Sequence, residues 1–169
     1  KILRTSISSA QFITLREEMT LVESYAKIQK IRFNGKFDFH YEIDPETEEI
    51  PVPKLIVQPI VENAVIHGMA EKIRIRVDAG KHWVRFSVSD DGAGIPQEKL
   101  EHLCGDYMEL ADTSSGDKKH NMGIGLIVCR DIIKVHGGNF EGRNQLEGGT
   151  EFWFTLPLKE ERQYGGHKG

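Results

Sequence analysis

The sequence predicts an α+β fold: a two-layer α/β sandwich with one mixed, mostly antiparallel sheet and helices packed on one of its faces. Three observations predict it. Three segments carry apolar residues at helical spacing, several short segments alternate apolar and polar residues, and helices and strands are partly segregated along the chain. A sheet with one buried face needs helices to cover that face, which gives two layers around one core.

The composition is that of one soluble globular domain. The chain has 169 residues, of which 38% are hydrophobic and 28% charged. A net charge of -4 without a long basic run argues against a nucleic-acid partner. Cys104 and Cys129 have no metal-ligand spacing and form no disulfide framework, so we expect a reducing, cytosolic setting.

The chain carries no apolar run of membrane-spanning length and no signal peptide. It begins at Lys1 in amphipathic sequence, without Met. We interpret residues 1–13 as the end of an upstream helix and its linker, and the chain as a piece of a longer protein. Membrane segments could lie in the missing part.

The first predicted domain helix covers about residues 15–33. Thr14 and Glu17 form a capping box at its start, and Asn34-Gly35 ends it. Its expected buried row is Met19, Val22 and Ala26, with Leu21, Tyr25 and Ile28 beside it. Alternation over residues 37–43 predicts a strand, and the prolines of residues 44–53 predict a loop.

The stretch QPIVENAVIHG, residues 58–68, organises the fold and the function. We expect a helix that opens after Pro53 and closes at Gly68, with an apolar face formed by Leu55, Ile56, Ile60, Val61, Ala64 and Val65. The helix also carries three polar residues that its apolar pattern does not explain, namely Glu62, Asn63 and His67. An amide such as that of Asn63 can offer a hard oxygen to magnesium that also holds phosphate. Alternatively, Glu62 and Asn63 form a solvated stripe and His67 caps the helix end.

The remaining elements follow from the same patterns. Residues 73–77 and 84–88 predict an antiparallel hairpin, and Pro96 opens a short helix that reaches about Leu103. The polar residues 104–122 predict a long lid-like loop. A helix over residues 124–136, a short strand at Phe140 and a strand over residues 150–156 complete the domain. Residues 159–169 predict a disordered tail.

Three glycine-containing stretches punctuate this order. Asp90 ends a strand, and the glycines after it let the backbone approach a flat ligand closely. The Asp90 carboxylate could accept a hydrogen bond from an exocyclic amine of such a ligand, such as that of adenine. A plain acidic turn is the alternative. Gly123 and Gly125 open a helix whose free amides favour phosphate, or else form a hinge. In Gly148-Gly149-Thr150 the glycines turn a hairpin and Thr150 could support the first site; a simple turn is the alternative. A Rossmann motif and a P-loop are excluded by context and spacing.

In this order, the segments QPIVENAVIHG, DDGAGI, NMGIGL and GGTEFWFTLP resemble the N, G1, G2 and G3 boxes of the GHKL ATP-binding superfamily. Together they are highly specific. The segments LREEMTLVESYAKIQKIRF and IPVPKLIVQPIVENA resemble in particular the bacterial two-component sensor histidine kinases that regulate autolysis and carbohydrate uptake. The resemblance covers roughly residues 14–158, which would be the catalytic ATP-binding domain, and makes residues 1–13 the end of a dimerisation helix.

The resemblance implies ATP and Mg²⁺ as cofactors and assigns roles to matching residues. Asn63 would ligate magnesium, with Glu62 and His67 beside the reacting centre. Asp90 would bind the adenine amine. The rest of the nucleotide site would comprise Gly92, Gly94, Ile95, Gly123, Gly125, Leu126 and Thr150, with Lys119 and Lys118 as phosphate contacts from the lid.

Three positions depart from the family pattern. Pro59 replaces the glutamate that activates water in hydrolysing members, which favours phosphoryl transfer to a protein side chain. Ile66 replaces a frequent lysine, and Asn121 replaces a glycine of the G2 box. The phosphoacceptor histidine is absent, because none of His40, His82, His102, His120, His136 and His167 has the family's acceptor context.

The resemblance therefore implies a histidine kinase catalytic domain that phosphorylates an upstream histidine for relay to a response regulator. It further implies a homodimeric full-length protein, anchored in the inner or plasma membrane, with this domain in the cytoplasm. Two alternatives stay open: an ATPase that couples hydrolysis to conformational change, which a steady ATPase rate would favour, and a non-catalytic nucleotide-binding regulatory module.

Overall fold

The computed structural model describes residues 12–67, 70–105 and 124–158. The predicted upstream helix end, most of the lid and the tail therefore lie outside the described residues. Within the described ranges, the elements are β1 (Phe12–Thr14), α1 (Leu15–Arg32), β2 (Asp38–Ile43), a 3-10 turn (Pro45–Thr47), β3 (Pro51–Pro53), α2 (Gln58–His67), β4 (Lys72–Ala79), β5 (Trp83–Asp90), α3 (Gln97–Cys104), α4 (Ile124–Val135), β6 (Asn139–Asn144) and β7 (Thr150–Pro157).

The predicted mixed sheet is confirmed. In the described part of the chain, five strands pair in the order β2-β4-β5-β7-β6. Strands β2 and β4 are parallel, and the other neighbours are antiparallel. In β4, Ile73, Ile75 and Val77 are buried while the residues between them are exposed. This alternation gives the sheet one core face and one open face.

Helices α1, α2 and α4 supply the second layer over the core face. Val22, Ile60 and Ile133 from these three helices are each at most 1% exposed. Beneath them, the rings of Phe86 on β5 and Phe154 on β7 stack with centroids 4.6 Å apart. Burying an aliphatic or aromatic side chain of this size contributes about 1.5–3 kcal/mol, so this layer contact holds the sandwich together.

The predicted ends of α1 are confirmed. The Thr14 hydroxyl accepts a hydrogen bond from the Glu17 amide at 3.2 Å, and the Glu17 carboxylate accepts one from the Thr14 amide at 2.8 Å. Asn34 and Gly35 follow the helix at φ 54° and 76°, a conformation that stops a right-handed helix. Along α1 the expected row is buried, whereas Leu21 is 36% and Ile28 61% exposed.

Three local predictions were wrong. Helix α2 begins at Gln58 and not directly after Pro53, because Leu55 has φ 61° and turns the chain outward with its side chain 47% exposed. Leu55 therefore does not belong to the apolar face. Residues 44–53 are more than a loop, because β3 pairs with β1. Phe12, expected in the upstream helix, lies in that short ladder.

Within residues 12–67, 70–105 and 124–158, no helix combines the length and the apolar character needed to cross a membrane.

Candidate functional site

Asp90, the last residue of β5, stands at the edge of the core and is 5% exposed. Its Oδ1 accepts hydrogen bonds from the amide of Gly92 at 3.0 Å and from the amide of Thr150 at 3.3 Å. In the described part of the chain, the bonds to this carboxylate go to Oδ1. Its position is thus fixed from the loop that follows it and from the start of β7, and Oδ2 remains for a donor such as a ligand amine.

Burial raises the pKa of Asp90 above its ordinary value. The amides of Gly92 and Thr150 oppose this rise because they favour the charged carboxylate, and the charge of Asp91 adds to it. A buried carboxylate of this kind gains from a ligand that donates a hydrogen bond, since the ligand replaces the water that burial has removed.

The loop after Asp90 is fastened by Asn144 at the end of β6. The Asn144 Oδ1 accepts a hydrogen bond from the Ile95 amide at 2.9 Å, and its Nδ2 donates to the Ile95 carbonyl at 2.7 Å. Gly94 has φ 78°, and a Cβ there would lie 3.0 Å from the Asn144 Oδ1. A side chain at position 94 would therefore strain both the backbone and this clamp.

The turn between β6 and β7 closes against the same strand end. Gln145 donates from Nε2 to the Asp90 carbonyl oxygen at 2.7 Å. Gly149 has φ 85°, and a Cβ there would collide with that carbonyl oxygen. The close approach of Gly149 to Asp90 therefore requires glycine in this turn, and Thr150, the residue predicted to support the site, follows directly and is 2% exposed.

Asn63 on α2 is not part of a solvated stripe. It is 6% exposed, and its Oδ1 is buried without a hydrogen-bond partner among the described residues. One turn earlier, the Pro59 Cβ lies 3.5 Å from the position that a Cβ would take if Gly125 carried one. Because residues four apart share a helix face, Asn63 lies on the side of α2 that meets the start of α4.

Glu62 lies on a different side of α2. It accepts a hydrogen bond from Gln58 Nε2 at 2.9 Å. On α1, burial raises the pKa of Tyr25 to about 12, and the charge of Glu62 contributes to that rise. On α4, burial raises the pKa of Cys129 to about 12, and the charges of Glu18 and Glu62 add to that rise. The Glu62 carboxylate is thus near both α1 and α4. His67 ends α2, and its side chain lies outside the described residues.

At the start of α4, Gly125 is exposed and Leu126 is 1% exposed. The Leu126 side chain belongs to the core, so the part of this residue available to a ligand is its backbone. Three other predicted contacts, Gly123, Lys118 and Lys119, lie outside the described residues.

The residues that could hold a metal fit a magnesium–phosphate site. The described residues contain no cluster of three or more His, Cys, Asp or Glu side chains that could hold a metal ion alone. Asn63 instead offers one buried, uncharged oxygen that lacks a partner. Magnesium keeps several waters and binds through few protein ligands together with substrate phosphates, and such a donor suits it.

The greater part of the chain matches one protein family. Residues 49–160, more than half of the chain, match the family of histidine kinase-, DNA gyrase B- and HSP90-like ATPases. The chain belongs to this family. Residues 1–37 match a second family, described as histidine kinase.

Among curated relatives, the sensor protein LytS of Bacillus cereus is 29% identical over 161 residues, covering 89% of this chain and 26% of that protein. The sensor histidine kinase/phosphatase LytS of Staphylococcus aureus (strain N315) is 26% identical over 164 residues, covering 92% of this chain and 27% of that protein. The chain thus spans about a quarter of each relative.

Solved structures agree with this assignment. The catalytic domain of histidine kinase ThkA is 28% identical with a TM-score of 0.66, covering 87% of this chain and 94% of that one. Acinetobacter baumannii histidine kinase AdeS, at 16% identity and a TM-score of 0.64, shares the fold over 89% of this chain and 68% of its own. The chain is therefore an ATP-binding catalytic domain of histidine kinase type, as the resemblance implied.

Sequence reasoning missed Asn144 and Gln145, the two side chains that fasten the Asp90 loop of this domain. Their partners lie 49 and 55 residues away along the chain. The available signal was a polar Asn-Gln pair directly before a glycine turn. Local spacing could mark that pair as a turn, but it could not indicate which backbone the side chains hold.

Proposed function

We propose that this domain binds Mg²⁺-ATP between α2, α4 and the end of β5, and donates the γ-phosphoryl group within a longer kinase. The observation that carries the proposal is the buried Asn63 Oδ1, which has no partner among the described residues. An unsatisfied buried oxygen costs about 1–3 kcal/mol, so it is retained where a ligand satisfies it.

At the adenine end, Asp90 would accept a hydrogen bond from the exocyclic amine. Its fixed Oδ1 and the backbone amides of Gly92 and Thr150 support this role. Gly94 and Ile95 would lie against the base. The clamp between Asn144 and Ile95 holds that loop before the ligand arrives, which lowers the ordering cost of binding.

At the phosphate end, Asn63 would hold a magnesium ion, which would neutralise charge on the phosphates. Glu62 and His67 would lie beside the reacting centre. Gly123 and Gly125 would offer backbone amides to phosphate at the start of α4, where the helix dipole favours an anion. Lys119, with Lys118, would add a cation from the lid.

In the longer protein, a histidine on an upstream dimerisation domain would attack the γ-phosphorus. The bond between phosphorus and the bridging oxygen of ADP breaks, a phosphorus–nitrogen bond forms, and ADP leaves. Such transfer depends on positioning and charge neutralisation. Pro59 supports transfer over hydrolysis, because it offers no carboxylate to activate water.

The partners follow from the same proposal. A response regulator would receive the phosphoryl group; a structure of ThkA in complex with response regulator protein TrrA, 26% identical to this chain with a TM-score of 0.63, supports this. That match covers 88% of this chain and 42% of ThkA. We further propose a homodimeric, membrane-anchored full-length protein with this domain in the cytoplasm.

Calorimetry of ATP and ADP binding, with and without Mg²⁺, tests the site in the 169-residue chain. Asp90→Asn keeps an acceptor for Gly92 but presents an amide to the adenine amine, so we expect affinity to fall about 10–100-fold in both conditions. Asn63→Ala should weaken binding only when Mg²⁺ is present. Asp91→Asn is the matched control, because Asp91 bonds the amides of Glu71 and Lys72 and not the loop.

The proposal is wrong if the unaltered chain binds neither nucleotide, or if Asn63→Ala leaves Mg²⁺-dependent affinity unchanged. In the full-length protein, Asn63→Ala should also abolish transfer of label from ATP to histidine. A sustained ATPase rate in the isolated domain would instead favour a hydrolytic function.

A further inference from the structure

Glu18 lies in the first turn of α1 and is buried, with 0% of the residue exposed. In the part of the chain that the structure describes, no cation forms an ion pair with it. Buried carboxylates are rare unless hydrogen bonds or charges compensate the loss of water, so its partners indicate its role.

Both oxygens of Glu18 bond the segment that leads into α2. Oε2 accepts a hydrogen bond from the Leu55 amide at 2.8 Å, and Oε1 accepts one from the Val57 amide at 3.0 Å. The Val57 carbonyl in turn accepts from Ile60 and Val61, in the first turn of α2. Glu18 therefore caps α2 from another helix, and its negative charge suits the positive end of the helix dipole.

The same segment is also held from α4. Cys129 on α4 donates from Sγ to the Ile56 carbonyl at 3.2 Å. Next to this bond, Leu55, whose amide Glu18 accepts, adopts φ 61°, which costs a non-glycine residue about 1–2 kcal/mol. A strained conformation of this kind persists because its surroundings determine it.

The start of α2 determines where Asn63 lies. An α-helix is rigid and rises about 1.5 Å per residue, so Asn63 stands about two turns from the anchored peptides. A small rotation at the start of α2 would turn the amide oxygen of Asn63 away from the start of α4. The two hydrogen bonds that Glu18 accepts from the Leu55 and Val57 amides oppose such a rotation.

We propose that Glu18 is a positioning residue for the magnesium–nucleotide site: it fixes the start of α2 and so aims Asn63. The inference rests on the proposed function. Because Glu18 stands on α1, it also links the position of α1 to the geometry of the site.

The test compares Glu18→Gln with Glu17→Gln in the 169-residue chain. Glutamine at position 18 keeps one acceptor but turns an amide toward the second backbone amide, so one bond is lost. Glu17→Gln is the matched control, because Glu17 lies on the same turn and is exposed, and the substitution removes the same charge. Affinity for ATP and ADP is measured with and without Mg²⁺, in samples whose circular dichroism confirms that they are folded.

We expect Glu18→Gln to lower Mg²⁺-dependent affinity for ATP about tenfold, a typical effect of a supporting partner of a metal ligand. Glu17→Gln should stay within about twofold of the unaltered chain. Glu18→Asp, which keeps the charge but shortens the reach, should weaken binding as Glu18→Gln does, and it serves as the test if Glu18→Gln does not fold.

The double variant Glu18→Gln/Asn63→Ala separates positioning from a purely structural role. If Glu18 acts through Asn63, adding Glu18→Gln to Asn63→Ala should not reduce Mg²⁺-dependent affinity further. The inference is overturned if the Glu18 variants lower the urea midpoint but keep the Mg²⁺-dependent affinity of the unaltered chain. An unaltered chain without nucleotide affinity would instead overturn the proposed function itself.

Discussion

At the scale of single residues, Asp90 couples the stability of the unliganded domain to pH. Burial raises its pKa above 3.8, so the folded state binds the proton more tightly than the unfolded state does. Its stabilising contribution is full below the ordinary pKa and is lost as pH rises through the raised value.

We therefore predict that Asp90→Asn gains stability relative to the unaltered domain as the pH increases from about 4 to 7. Asparagine keeps an oxygen for the amides of Gly92 and Thr150 but never becomes charged. The measurement is urea denaturation of both proteins across this range without nucleotide. A stability difference that is constant with pH would contradict the linkage.

The two free thiols should differ from ordinary cysteines in reactivity. Burial raises the pKa of Cys129 to about 12 and that of Cys104 to about 11. At pH 8 their thiolate fractions are therefore about one in ten thousand and one in a thousand. We predict that a chromogenic disulfide reagent modifies Cys129 more slowly than Cys104, and both rapidly in urea. Rapid modification of Cys129 in the folded domain would contradict its burial.

At the scale of elements, Arg130 joins α4 to the end of α3. It is 3% exposed, and its Nη1 donates to the carbonyls of Gly105 at 2.8 Å, Leu103 at 3.3 Å and His102 at 3.4 Å. The carbonyls of His102 and Leu103 belong to the last turn of α3, which has no later amides to satisfy them, and Gly105 is the residue that follows the helix.

We predict that Arg130→Met lowers the free energy of unfolding by about 1–3 kcal/mol, because it leaves buried carbonyls unpaired. The matched control is Arg74→Met: Arg74 is exposed and pairs with Glu42 at 3.3 Å, and such surface pairs contribute at most about 1 kcal/mol. Urea denaturation gives both values. Equal losses would mean that capping of α3 does not depend on Arg130.

The elements also separate what the sequence could predict from what it could not. The capping box at Thr14 and the turn at Asn34-Gly35 depend on neighbours within a few residues, and both were confirmed. The late start of α2 depends on Glu18, whose partner Leu55 is 37 residues away. The spacing of the apolar residues gives no sign of that bond, so the predicted helix begins too early in the sequence.

The features of the candidate site also divide into those that the sequence could predict and those that it could not. The residue types at Asn63 and Asp90 were visible as polar groups in apolar surroundings, and the resemblance gave them roles. Their burial, the orphaned amide oxygen and the clamps by Asn144 and Gln145 depend on contacts between distant segments. Such contacts follow from packing of the whole sheet and not from local spacing.

At the scale of the whole molecule, the proposed adenine end and phosphate end belong to different layers. Asp90 and Thr150 stand on adjacent strands of the sheet, while Asn63 and Gly125 stand on helices above it. A ligand that bridges both ends would therefore tie the helical layer to the sheet, and its binding would stabilise the complete sandwich.

Binding of ADP with Mg²⁺ should accordingly raise the unfolding temperature of the entire domain. A ligand at about one hundred times its Kd stabilises the folded state by about 2.7 kcal/mol, which corresponds to roughly 5–10 °C for a chain of this length. Differential scanning calorimetry should record this shift as one cooperative transition, and Asp90→Asn at the same ADP concentration should show a much smaller shift. A split transition, with only part of the domain stabilised, would mean that the ligand contacts one layer alone.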